Sequence, residues 1–127
     1  MSLGAFSVSL AVKDIAISKA FYEQLGFNLM AGDQAQGWLI MADGATKIGL
    51  FQGMIAANTL TFNPGWTQEC EALPAFEDVR AIQSRLQAAG VVMSVASDVS
   101  STGPAHCVFS DPDGNVIMFD QHVPKPD

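Results

Sequence analysis

The two halves of this chain repeat the same signals in the same order, and that limits the possible folds more than any other feature. Ser7-Val8-Ser9-Leu10 returns as Thr59-Leu60-Thr61-Phe62, an offset of 52 from 7 to 59, with small polar residues alternating with apolar ones. Each stretch reads as a half-buried strand. Asp14-Ile15 then matches Asp78-Val79, and Gly26 matches Gly90, both at an offset of 64. The aspartates suit a helix N-cap, and the glycines suit the left-handed residue just past a helix end. Two helices of about three turns are expected between them, with Ile17, Phe21 and Leu25, then Val79, Ile82 and Leu86, giving each one apolar face to bury.

A β-prone run follows each helix, Phe27–Met30 in the first half and Val91–Val95 in the second. Asp43-Gly44 and Asp113-Gly114 then supply the positive-φ residue of a hairpin, whose first arms are Trp38–Met41 and Ala105–Phe109 and whose second arms are Ile48–Leu50 and Ile117–Phe119. The sequence thus predicts an α+β fold in a single domain, 1–127, made of two βαβββ modules, one over about 5–53 and the other over about 57–122. A sheet with a helix on one face leaves its other face to cover or bind something, so two such curved mixed sheets are expected to pair around a cavity.

Strand parity assigns the side chains. Val8, Leu10, Val12, Ile48 and Leu50 face the helices, so their alternating neighbours face the cavity. The expected lining is Ser7, Ser9, Lys47, Gly49, Thr59, Thr61, Met118 and Asp120, with Trp38, Phe51 and Trp66 as aromatic candidates. The offset grows from 52 to 64 because an extra stretch, Asn63–Pro74, lies between the second module's first strand and its helix. It reads either as a rim holding Trp66 over the cavity or as a loop packing Trp66 into its own neighbours.

Composition narrows the partners. Six basic against thirteen acidic side chains give a net charge of −7, which repels phosphate backbones and anionic lipid surfaces, so no nucleic acid or membrane partner is expected. The same field would attract a cationic small molecule, or simply keep the protein dispersed. No apolar run approaches a membrane span or a secretion signal, and a cytoplasmic protein is expected. Cys70 and Cys107 are too few for a disulfide scaffold and are expected to be reduced.

Little else in the chain carries chemistry. His106, His122 and Asp120 could form a metal site, but residues beyond a last strand are usually solvated. Cys107 cannot pair with His106 as nucleophile and base, because adjacent strand residues point to opposite faces. Met30, Met41, Met54 and Met93 read as core filler rather than an adaptable pocket. No glycine loop that could cradle a phosphate precedes a helix, so nucleotide binding is not indicated.

The chain resembles the vicinal oxygen chelate superfamily, which includes glyoxalase I, fosfomycin-modifying enzymes, extradiol dioxygenases and bleomycin-resistance proteins. Val12-Lys13-Asp14 followed by Ser18, Phe21 and Tyr22, then Leu25-Gly26-Phe27, and finally Phe109-Ser110-Asp111-Pro112-Asp113-Gly114-Asn115 carry the resemblance. It implies the glyoxalase/bleomycin-resistance/dioxygenase fold. In the family's metal-dependent members, histidine, glutamine or glutamate from the first and fourth strands of each module hold a divalent ion. Those positions fall here on Ser7, Gly49, Thr59 and Met118, which offer no carboxylate or imidazole. Neither a metal nor another cofactor is therefore expected. The leading expectation is a homodimeric protein that binds a small organic molecule in its sheet cavity, as bleomycin-resistance members sequester their ligand. The alternatives are a metal-dependent lyase, isomerase or dioxygenase with non-standard ligands, and a non-catalytic interaction module.

Overall fold

Asp14 and Asp78 start the two helices as the sequence predicts. In the computed structural model, which describes residues 2–127, the Asp14 carboxylate accepts from the N–H groups of Ala16 and Ile17, and that of Asp78 from Arg80 N–H. The helices α1 (Ile15–Gln24) and α2 (Val79–Ala88) each stop two residues before a glycine with positive φ, +106° at Gly26 and +95° at Gly90. A side chain there would meet the left-handed penalty that ends a helix cleanly at glycine.

The strands are β1 (Ala5–Val12), β2 (Asn28–Asp33), β3 (Trp38–Asp43), β4 (Thr46–Gln52), β5 (Thr59–Asn63), β6 (Ala105–Ser110) and β7 (Val116–Gln121). The fold is α+β, and it divides into two compact units. In the unit of residues 7–59, the strand order is β2-β3-β4-β1. There β1 runs parallel to β4, pairing Val8 with Ile48 and Ser9 with Gly49, whereas β2, β3 and β4 are antiparallel neighbours. The core of this unit joins Ile15, Leu39, Met41 and Leu50, with Leu10, Val12, Tyr22, Phe27 and Ile48 packed against them. Leu10, Val12, Ile48 and Leu50 thus face the helix as expected.

In the other unit, β7 lies between β5 and β6, and α2 packs on β6 and β7. Val79, Ile82, Cys107, Phe109 and Phe119 form its core, and Phe62 and Phe109 each meet the Phe119 ring edge-on. Here the apolar face of α2 is buried as expected. A polar network fixes the helix start: Gln121 accepts from Val79 N–H at 2.7 Å and donates to Asp78 at 2.8 Å, while Arg80 pairs with Asp78 at 2.8 Å. The Arg80 guanidinium also donates to Ser101 Oγ and to the Gly103 carbonyl.

Four expectations need correction. The stripe Ile17, Phe21 and Leu25 is not buried, because at about 100° per residue Ile15 and Tyr22 share the sheet-facing side of α1 while Ile17 and Phe21 point elsewhere. Val91–Val95 is not a strand. It meets β6 at the single residue Val108, which bridges to Val95 and accepts from Ser94 N–H and Oγ, and the backbone beyond it bonds instead to the Gln83 side chain, which accepts from Ser97 N–H and donates to Ser97 O. The Asp113-Gly114 connection is a longer turn, in which Asp111 accepts from the N–H groups of Asp113 and Asn115. Finally, Met30 and Met54 are exposed rather than core filler.

Candidate functional site

Each sheet face turned away from its helix carries the residues singled out by parity. In the unit of residues 7–59, β4 presents Lys47, Gly49 and Phe51, with Ser7 and Ser9 alongside on β1 and Ala42, Ile40 and Trp38 opposite on β3. Ser9, Lys47 and Gly49 are buried there, and Ser7, Trp38 and Phe51 are half-buried. Thr59 is buried, and its hydroxyl donates to the Ala57 carbonyl at 3.1 Å.

Gly49 determines the shape of this face. A Cβ built on it would lie 2.5 Å from Cε2 of Phe51 and 3.4 Å from Cδ1 of Ile40, so the missing side chain is what lets the Phe51 ring fold over the strand. With Trp38 directly across from Phe51, this end of the face is aromatic, and Ser7, Ser9 and Lys47 make the rest of it polar. A carboxylate or imidazole at position 49 would have to displace that ring. The residues at the expected ligand positions of this unit therefore do not fit a divalent ion: Ser7 and Thr59 offer neutral hydroxyls and Gly49 offers only a site closed by an aromatic ring.

In the other unit, Thr61 is buried on β5, Met118 stands opposite Val108, and Asp120 stands opposite His106. Met118 would supply only a thioether to a hard ion. The Asp120 carboxylate pairs with Nε2 of His122 at 3.2 Å, and the His122 ring stacks on Trp66 with centroids 4.5 Å apart and planes 4° apart. The hydrogen bond that His122 donates to Asp120 raises the imidazole pKa above its ordinary value against the opposing effect of burial. His122 is exposed, with one face of its ring resting on Trp66. The insertion doubles back on itself, since Trp66 bridges to Ala72 and Leu73 N–H donates to the Gly65 carbonyl. It is tied to the start of β1 by the Gln68 amide, which bonds both Phe6 N–H and Phe6 O at 2.8 Å. Trp66 is thus half-buried, with its backbone bridged to Ala72 and its ring on His122.

Among the described residues, no group of three histidine, cysteine, aspartate or glutamate side chains lies close enough to hold a metal ion. Cys107 is fully buried in the core, and burial pushes its thiol up to about 11, which leaves it protonated and unreactive at neutral pH. Among the described residues, no helix is long and apolar enough to cross a membrane. Parity missed one feature, a groove of about 400 Å³ on the helix side of the sheet, lined by Leu10, Val12, Ile17, Phe21, Tyr22 and Asn58. Its signal in the sequence is the apolar stripe of α1, Ile17 and Phe21.

This architecture is the fold of the glyoxalase/bleomycin resistance/dioxygenase superfamily. A superfamily member from Vibrio splendidus 12B01 is 14% identical over 91% of this chain and 97% of its own, with a TM-score of 0.63. An NAD-dependent benzaldehyde dehydrogenase from Legionella pneumophila is 16% identical over 92% and 98%, with a TM-score of 0.68. Homoprotocatechuate 2,3-dioxygenase from Brevibacterium fuscum, solved with 3,4-dihydroxyphenylacetate, is 20% identical over 95% of this chain but only 36% of its own, with a TM-score of 0.58. At these identities the likeness establishes the fold alone. No family model matches the sequence. No curated protein matches it either.

Proposed function

We propose that this chain is a cytoplasmic, homodimeric protein that binds a small organic molecule on the helix-free faces of its sheets without using a metal. The observation that carries the reading is the Phe51 ring over Gly49, with Trp38 opposite, at a position where metal-dependent proteins of this fold would place a ligand side chain. Aromatic faces bind planar or cationic organic groups by stacking and by attraction to the ring quadrupole, and a net charge of −7 favours a cationic ligand. Ser7, Ser9, Lys47 and Thr59 in one unit, and Thr61, Trp66, Met118 and Asp120 in the other, are the remaining candidates for contact.

A thermal-shift screen against aromatic and cationic compounds tests this directly, because a ligand that binds only the folded state raises the melting temperature. At least one compound class is expected to stabilise the wild type and to lose that effect in Trp38→Ala. A screen with no stabilising compound, or stabilisation that Trp38→Ala leaves unchanged, contradicts the reading.

A further inference from the structure

Helix α1 presents an apolar surface that its own sheet does not cover. Ile17 is 69% exposed, Phe21 55% and Leu25 58%, and Leu29 on β2 is 50% exposed. Leu29 lies on the helix side of the sheet, because its cross-strand partner Met41 belongs to the core beneath α1. Ile17, Phe21, Leu25 and Leu29, each at half exposure or more, leave on the order of 400 Å² of apolar surface on the helix side, about half of the ~800 Å² that a standard interface buries per partner. A monomer rarely leaves this much apolar surface together without a partner for it.

We infer that this surface is where a second copy of the chain docks, a step that rests on the homodimer proposed above and specifies its interface. Three observations select a second copy as the occupant. The first is area, since two such patches facing each other supply the apolar centre of a standard interface. The second is charge. From Leu10 to Met30 the chain carries two lysines, Lys13 and Lys19, and two acids, Asp14 and Glu23, so this segment is neutral in a chain of net charge −7. Two copies can approach here without the like-charge repulsion that the rest of the surface imposes.

The third observation is self-complementarity. A two-fold interface must carry both the projecting group and the recess that receives it on the same patch. Ile17 and Phe21 project from α1 and also form one wall of the 400 Å³ groove, whose other walls are Leu10 and Val12. The stripe is evenly spaced about Phe21, so a two-fold axis near that ring sets Ile17 of one copy against the partner's Leu25. The ion pair Lys19–Glu23, at 3.4 Å, lies around the helix from the stripe, which itself holds no charged group.

Light scattering across micromolar concentrations tests the assignment with wild type, Phe21→Asp and Ile17→Lys, each checked for folding by circular dichroism. The wild type is expected at twice the 13.5 kDa chain mass. Each variant is expected to dissociate, its dimer dissociation constant rising at least about 30-fold, the size of a hot-spot loss. A wild type that stays monomeric overturns the homodimer and this interface together. Folded variants that remain dimers overturn the interface alone and leave the homodimer standing. Should Phe21→Asp fail to fold, Ile17→Lys decides the matter, because a side chain that is 69% exposed contributes little to the fold of one chain.

Discussion

At the scale of single residues, Asp78 holds more of the structure than any other charged group. It caps α2, pairs with the buried Arg80 and accepts from Gln121, so one carboxylate connects the helix to β7. Burial alone would raise its pKa, but the bonds from Gln121 and Arg80 outweigh it and hold the carboxyl below its ordinary value of 3.8. A group depressed in this way contributes stability above its unfolded pKa and loses it as pH falls through the folded value. Asp78→Ala should destabilise the protein by about 2–4 kcal/mol in urea at neutral pH, since it removes a cap and leaves Arg80 buried beside an empty position. The difference from wild type should shrink as pH falls below 3.8. An unchanged urea midpoint at neutral pH would contradict this. The cap was legible in the sequence. Its partner Gln121, 43 residues away, was not, because nothing local marks a glutamine as half of a buried pair. Gly49 shows the same limit: strand parity put it on the helix-free face, but the ring that Phe51 lays over it is a packing choice no spacing encodes.

Among the elements, the sequence located ends better than faces. Both helices begin and end at the aspartates and glycines that mark them, because capping is decided by a few adjacent atoms. The faces differ. The Val79, Ile82 and Leu86 stripe of α2 meets a core, whereas the equally regular stripe of α1 points away from its sheet, and periodicity alone cannot say which side of a helix is covered. The second module also lacks a full strand after α2. Val91–Val95 has the composition of one, yet Val92 is 84% exposed, and Gln83 binds the backbone at Ser97 as a neighbouring strand would. Native-state hydrogen exchange should separate these cases. The Val92 amide should exchange near its free-chain rate, while the amides of Phe109 and Phe119 in the paired core of β6 and β7 should be protected up to the global stability. Equal protection across Val91–Val95 would mean that a full strand forms there in solution.

For the whole molecule, the repeat predicted the class of fold, and the solved structures with TM-scores of 0.63 and 0.68 share it at 14% and 16% identity. Such identities leave activity open, since one fold hosts many chemistries and function lies in the site. Here the positions expected, from the resemblance, to hold metal ligands carry Ser7, Gly49, Thr59 and Met118, and position 49 lies under an aromatic ring. What the chain offers instead is aromatic and hydroxyl surface on one side of its sheets and an apolar helix stripe on the other. The measurement that bears most directly on this reading is the metal content of the purified protein, taken together with its melting temperature in the presence and absence of a strong chelator. A metal that bound the folded chain would stabilise it by linkage, and a chelator would remove that stabilisation. The expected result is far less than one transition metal per chain and a melting temperature unchanged by chelator. One metal per chain, with a lower melting temperature once it is removed, would contradict it.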